Sequence, residues 1–312
     1  MTGHFFSKKR DLNSLKNLCL ILLCICTCLS CKKEDADPAY EWKGSGVDQF
    51  DATFAGVAKP MRVFYYSPSG INENTPILFV FHGVERNAME YRNALESIAG
   101  IKSFIVVAPE FSEENFPGQS AYQIGNIFQD GDQPSPPTLL PQNKWSVGLI
   151  EPMLDLARKK SGASNGACYL IGHSAGAQFL HRLILFKPDF PFARAVVSAA
   201  GWYTLPDTSV AFPYGLGASP FPLQALSSAF SRKVFVQVGN QDNNPNASNL
   251  RRNAEADKQG THRLARAQYF FNQAQNIAGT QSMPFNWELK IISGLNHNYI
   301  PALQSGVELI FP

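Results

Sequence analysis

Seven short runs of apolar, β-favouring residues recur along the chain: MRVFYY (61–66), ILFVF (77–81), FIVVAP (104–109), CYLIG (168–172), RAVVSA (194–199), VFVQV (234–238) and ELKII (288–292). Most lack a polar residue at every second position, the pattern of strands covered on both faces. Helix-length stretches lie between them at 88–98, 145–160, 175–187, 263–277 and 300–310, with Pro152 requiring the second to kink or to start late. Strand and helix in alternation predict an α/β architecture, a mostly parallel central sheet with helices on both faces. Two polar stretches containing Pro and Gly break the rhythm, 110–144 and 201–231. The first is too long for a plain connection and is either a pocket wall or a surface excursion.

The first 30 residues read as an address. Lys8, Lys9 and Arg10 precede LCLILLCICTCL (18–29), apolar apart from Thr27. As a helix this stretch spans about 18 Å, short of the roughly 30 Å hydrocarbon core, so residues 1–30 are read as a secretory signal peptide. Ser30, Cys31 and the charged run that follows are similar to a bacterial lipoprotein signal, in which Cys31 is lipidated and becomes the mature N-terminus. Cys28 and Leu29 depart from that pattern, and secretion without a lipid is the alternative. Such a chain would cross the bacterial inner membrane and, if lipidated, be anchored in the cell envelope. Residues 31–46 then form a solvated tether, and 47–312 one folded domain.

Five of the six cysteines fall within the first 31 residues, which argues against an internal disulfide framework. The formal charge of +2 is also local: residues 1–30 carry a net +3, so removing them leaves −1. Nothing basic remains to attract nucleic acid.

The chemistry concentrates where Gly172-His173-Ser174-Ala175-Gly176 stands between a strand and a helix. This is the pattern of a nucleophile elbow, a tight turn that projects Ser174 from the sheet end and leaves room only for small residues two before and two after. A serine hydroxyl needs a base within hydrogen-bond reach, itself oriented by a carboxylate, and both follow the serine in chain order in such proteins. Asp242 follows VFVQV and His297 follows ELKII, each in the loop after a late strand. Asp207 is the competing acid and His262 the competing base, the latter at the start of a helix rather than after a strand. His181, inside the helix after the elbow, reads as packing. Acyl transfer also needs amides aimed at the developing oxyanion. The Ala175 N–H comes with the elbow, and His82-Gly83-Val84 after ILFVF offers the Val84 N–H. Trp202 and Tyr203, straight after RAVVSA, are candidates for lining the substrate pocket.

Together, FHGVERNAMEY (81–91), GHSAG (172–176), GNQD (239–242) and GLNH (294–297) resemble the α/β-hydrolase superfamily, within it the branch of secreted polyhydroxybutyrate depolymerases and feruloyl or acetylxylan esterases. The likeness covers roughly residues 55–310. Val84 and Asn87 depart from the branch's HGC-x-Q-x-A-x-x-Y segment, which removes a disulfide often seen there, and Asn296 stands where Gly is common. The resemblance implies an α/β-hydrolase fold and a serine esterase acting on a polymeric or carbohydrate-linked ester, with no organic cofactor and no metal. A serine peptidase on the same fold and a catalytically silent surface binding protein are the alternatives.

Overall fold

The computed structural model describes residues 1–4 and 40–312 apart from 54, 55, 58 and 222–224. Cys31 and all but the first four residues of the expected signal peptide lie outside the described residues. The folded body spans Tyr40–Pro312.

Its centre is an eight-stranded sheet of β1 (Gly44–Phe50), β2 (Met61–Ser67), β3 (Ile77–Phe81), β4 (Ile105–Pro109), β5 (Cys168–His173), β6 (Arg194–Ser198), β7 (Val234–Gly239) and β8 (Trp287–Ile292). The spatial order is β1-β2-β4-β3-β5-β6-β7-β8. Strands β3 to β8 are mutually parallel, and β1 and β2 join one side antiparallel. All seven runs read from the sequence are strands. The helices are α1 (Ala88–Lys102), α2 (Gly118–Ala121), α3 (Ile150–Ser161), α4 (Ala175–Phe186), α5 (Ala225–Ser231), α6 (Ala254–Lys258), α7 (Arg263–Thr280) and α8 (Tyr299–Ile310). Pro152 falls in the first turn of α3, where its missing N–H costs no hydrogen bond, so the helix starts late and is not interrupted.

Unbroken apolar strands follow from the layering. In β3, Ile77, Phe79 and Phe81 belong to the core under α3, α4 and α7, whereas Leu78 and Val80 belong to the core under α1 and α8. Side chains alternate across the sheet, so a strand with an apolar layer on each side must be apolar at every position. Helix α4, buried along its whole length, fills the space beside β3, β5 and β6 and directs its N-terminus at the strand ends.

Residues 40–46, expected as the end of the tether, belong instead to the folded body. Strand β1 pairs with β2 from Gly44↔Ser67 to Phe50↔Met61. Just before it, Trp42 stacks on Tyr65 at 4.4 Å and donates its indole N–H to Asp48 at 2.8 Å. An edge strand with one wet face carries mostly polar residues and so imitates a linker in sequence. Segment 110–144 is a wall rather than a loose excursion. Phe111, Phe116 and Tyr122 are buried, and the Tyr122 hydroxyl donates to the His82 carbonyl at 2.8 Å. Among the described residues no helix is long and apolar enough to cross a membrane.

Candidate active site

The loops that follow β3, β5, β6, β7 and β8 gather at the C-terminal edge of the parallel strands, where open α/β sheets bind ligands. Ser174 sits between β5 and α4 with φ 56° and ψ −114°, a conformation a side chain adopts only when its surroundings enforce it. The enforcement is steric and local. A Cβ on Gly172 would lie 2.3 Å from the Gly176 carbonyl oxygen, and one on Gly176 would lie 2.0 Å from that of Phe81. The two glycines let strand, turn and helix approach closely, and the Ser174 N–H is fixed to the Ser198 carbonyl at 2.9 Å. The result is a nucleophile elbow on a parallel sheet, the defining feature of an α/β-hydrolase fold.

The structure brings Ser174, His297 and Asp242 together. His297 Nε2 lies 3.1 Å from Ser174 Oγ, and His297 Nδ1 lies 2.6 Å from Asp242 Oδ2. With Nδ1–H donating to the carboxylate, Nε2 is free to accept the serine proton. The two loops that carry the acid and the base are cross-linked. Gln241 N–H donates to the Leu295 carbonyl at 2.9 Å, Asn240 N–H to that of Ile292 at 3.0 Å, and Gly294 N–H to Asn240 Oδ1 at 2.8 Å. A Cβ on Gly239 would meet the Leu295 carbonyl at 1.9 Å, which explains the glycine that opens GNQD. Asn296 takes up its variant position with an Asx turn, Oδ1 accepting from Asn298 N–H at 3.0 Å.

One charged partner escaped sequence reasoning: Arg263, buried at the start of α7, lies 3.5 Å from Asp242 Oδ1. His173 also does more than occupy the variable position of the elbow. Its ring stands 4.7 Å from that of His297, with Nε2 3.3 Å from the His297 carbonyl and Nδ1 3.2 Å from Ser198 Oγ. The competitors lie elsewhere. His262 caps α7, its Nδ1 accepting from Ala265 N–H at 3.2 Å, and Asp207 closes a local turn with Ser209. His181 is packing, as expected, held between the Ala177 carbonyl and the Thr204 N–H.

Val84 follows β3 and borders the same cleft as Ser174, while Ala175 opens α4. At a helix's first residue the N–H has no partner within the helix, so it is available to an anion. The loop that carries Val84 is held by His82, which sequence reasoning quoted without assigning a role. His82 Nδ1 lies 2.9 Å from the Gly83 carbonyl, and Nε2 accepts from Phe111 N–H at 3.0 Å. Arg86 adds hydrogen bonds to the carbonyls of Phe111, Phe116 and Gly118 at 2.5, 3.2 and 2.8 Å.

Burial pushes the His82 imidazole down to about 3, and chiefly for the same reason His173 and His181 lie well below the usual imidazole value. All three are neutral in the folded protein, yet take a proton near pH 6.5 once unfolded. The unfolded chain therefore binds more protons below about pH 6.5, so the stability present above that pH is lost as pH falls toward 3. The free energy of unfolding from urea titrations is expected to fall between pH 7.5 and pH 5 by a few kcal/mol in total, at up to about 1.4 kcal/mol per group per pH unit, and the midpoint with it. A flat or rising profile would contradict the neutral histidines.

A cleft of about 420 Å³ opens beside Ser174, bordered by Gln119, Gln123, Gln178, Trp202 and Arg251, with Val84 at its rim. Trp202 thus takes up the position expected of it, although only 1% of its surface is exposed. Tyr203 does not. It is fully buried and stacks on Phe270 at 4.3 Å, because the chain bends at Gly201 and Trp202 after β6 and turns the next side chain into the core under α7. Among the described residues no group of three or more His, Cys, Asp or Glu side chains is placed to hold a metal.

Comparison with known proteins agrees with this fold. No family model matches the chain. Over 144 residues, 46% of this chain, it is 25% identical to poly(3-hydroxyalkanoate) depolymerase C of Paucimonas lemoignei, a match spanning about a third (32%) of that protein's length. Among solved structures, poly(aspartic acid) hydrolase-1 from Sphingomonas sp. KT-1 superposes with a TM-score of 0.80 at 36% identity, covering 87% of this chain and all (100%) of that one. The poly(3-hydroxybutyrate) depolymerase LpqC of Bordetella parapertussis gives the same TM-score, 0.80, at 30% identity over 86% and 89% of the two chains. The chain belongs to the α/β-hydrolase superfamily, in the branch that contains the poly(3-hydroxybutyrate) depolymerases.

Proposed function

We propose that this protein is a serine hydrolase that cleaves carboxylic esters through an acyl-enzyme. Ser174 attacks the ester carbonyl as its hydroxyl proton passes to His297 Nε2, and Asp242 holds the other ring nitrogen and stabilises the imidazolium. The amides of Val84 and Ala175 hold the oxyanion. As the tetrahedral intermediate collapses, the His297 proton goes to the departing alkoxide and the acyl group stays on Ser174. Water, deprotonated by the same imidazole, then releases the acid and restores the serine.

The observation that carries this reading is the unbroken line of Asp242, His297 and Ser174 at 2.6 and 3.1 Å on an enforced elbow. Likeness to two polyester depolymerases supports an ester, and a polymeric one. Amide cleavage is the second reading, supported by 36% identity to poly(aspartic acid) hydrolase-1. The proposal extends to location: residues 1–30 direct secretion and Cys31 carries a lipid, which the mass of the mature N-terminus checks.

A fluorophosphonate probe and a nitrophenyl ester series from acetate to octanoate, with ferulate, test the chemistry. Labelling and turnover are expected, with nitroanilides of the same acyl groups cleaved far more slowly. Absence of both labelling and turnover would leave a silent binding protein, whereas nitroanilide turnover matching that of the esters would transfer the assignment to amides.

A further inference from the structure

Beside and behind the cleft stand two guanidiniums, and among the described residues they outnumber the carboxylates that face them. Arg182, in the middle of α4, is fully buried, and its hydrogen bonds go only to carbonyl oxygens, those of Gln123 at 2.9 Å and Gln178 at 2.8 Å. Its Nε and Nη2 are buried without a partner. Arg251 borders the cleft nearby. The two guanidiniums share one indole, their central carbons 4.4 and 4.8 Å from the Trp202 ring centroid. Among the described residues a single carboxylate, Asp132, faces the pair, and it is engaged by Arg251 at 2.7 and 2.9 Å. Gln119 and the Tyr214 hydroxyl complete the Arg251 shell.

Burying a charge without a counter-ion is costly, and a protein that keeps one beside a ligand cleft gains from it when an anion arrives. Burial, with Arg251 close by, pushes Arg182 down to about 9, which still leaves it a cation at neutral pH. An unmatched donor lies close by: Gln178 borders the cleft, and its Nε2 is buried without an acceptor. The cleft thus presents an amide donor and one guanidinium at its wall, with a second guanidinium behind them.

We infer that this cleft is an acyl-side subsite for a carboxylate, so that the preferred substrate carries a free carboxyl group on the acyl residue next to the scissile carbonyl. The inference rests on the ester-hydrolase reading of Ser174. The side follows from the lining. His297, which must protonate the departing oxygen, does not border this cleft, whereas Ser174 and Val84 do. The acyl group therefore fills it and the leaving group lies on the His297 side. A neutral polyester unit could offer a carbonyl to Gln178 Nε2 but would leave the excess charge unanswered.

The test compares pairs of esters identical except in charge: mono-nitrophenyl glutarate, adipate and pimelate, each as the free acid and as its methyl ester. For at least one chain length, kcat/KM of the acid is expected to exceed that of the methyl ester by tenfold or more at low ionic strength, and the ratio should shrink in 0.5 M NaCl as the charges are screened. Asp132→Asn, which releases Arg251 from its counter-ion, should widen the ratio several-fold, and Arg251→Gln should narrow it. The opposite signs keep the result readable even if one variant folds poorly. Methyl esters cleaved as well as or better than the acids at every length would overturn the subsite while leaving the serine hydrolase intact. Ratios unmoved by both variants would overturn it as well. If neither form is cleaved, the ester-hydrolase reading fails and the subsite with it.

Discussion

Replacing Ser174 with alanine is expected to lower kcat for every nitrophenyl ester by four to six orders of magnitude, the range seen when an activated serine is removed from a working triad. The fold should survive. Among the described residues the side chain's hydrogen bond goes to His297 Nε2 at 3.1 Å alone, and alanine meets the same φ of 56° that serine already tolerates. Circular dichroism and the urea midpoint should therefore match those of the parent. Turnover within tenfold of the parent would mean that the ester is hydrolysed without the elbow serine. Loss of both turnover and folding would show instead that the hydroxyl helps to hold the turn, and Ser174→Cys, with its own nucleophile, would then separate the two effects.

Asp242→Asn is expected to act on rate and on stability together. An asparagine amide can offer N–H to His297 Nδ1, which favours the tautomer that carries its proton on Nε2 and cannot accept one from Ser174; such a change lowers kcat about 10⁴-fold at neutral pH. The same substitution leaves Arg263 buried without the carboxylate 3.5 Å away, at a cost of about 3 kcal/mol or more. The denaturation midpoint should fall with the rate, unlike the Ser174→Ala case. Asp207→Asn serves as the comparison, because the Asp207 carboxylate is seen to bond only Ser209 within its own turn, and it should change neither quantity appreciably. If Asp207→Asn is the damaging change, the acid has been assigned to the wrong loop.

What the sequence disclosed and what it hid follow one physical division. The inner strands β3 to β7 could be read because a strand with apolar layers on both faces has room for few polar residues, and the half-exposed β2 and β8 could be read from their β-favouring residues. Strand β1 could not, since on the sheet edge its residues are mostly polar and exposed. Ser174, Asp242 and His297 were legible because each follows a strand end, and the fold brings those ends together. Tyr203 was misread as lining the pocket because adjacency in sequence does not distinguish one face from the other once a strand has ended.

The charged groups were the least visible. Arg263 and Arg251 owe their roles to partners, Asp242 and Asp132, that are 21 and 119 residues away. Arg182 did leave a trace: in AGAQFLHRLILF it is the only cation in a helix with scarcely a polar face, so it had to be buried.

The interlocked loops after β7 and β8 have a further consequence. Strand β8 is the rim of the sheet, with β7 as its sole neighbour, whereas the strand that carries Ser174 has parallel partners on both sides. Because these two loops are tied to each other, Asp242 and His297 are linked at the rim of the sheet, and the His173 ring beside the His297 carbonyl connects them to the elbow. The proposed nucleophile thus stands on a strand with a parallel neighbour on each side while its two proposed partners share the sheet rim, so that a disturbance confined to the rim would part them from Ser174 and leave the elbow in place.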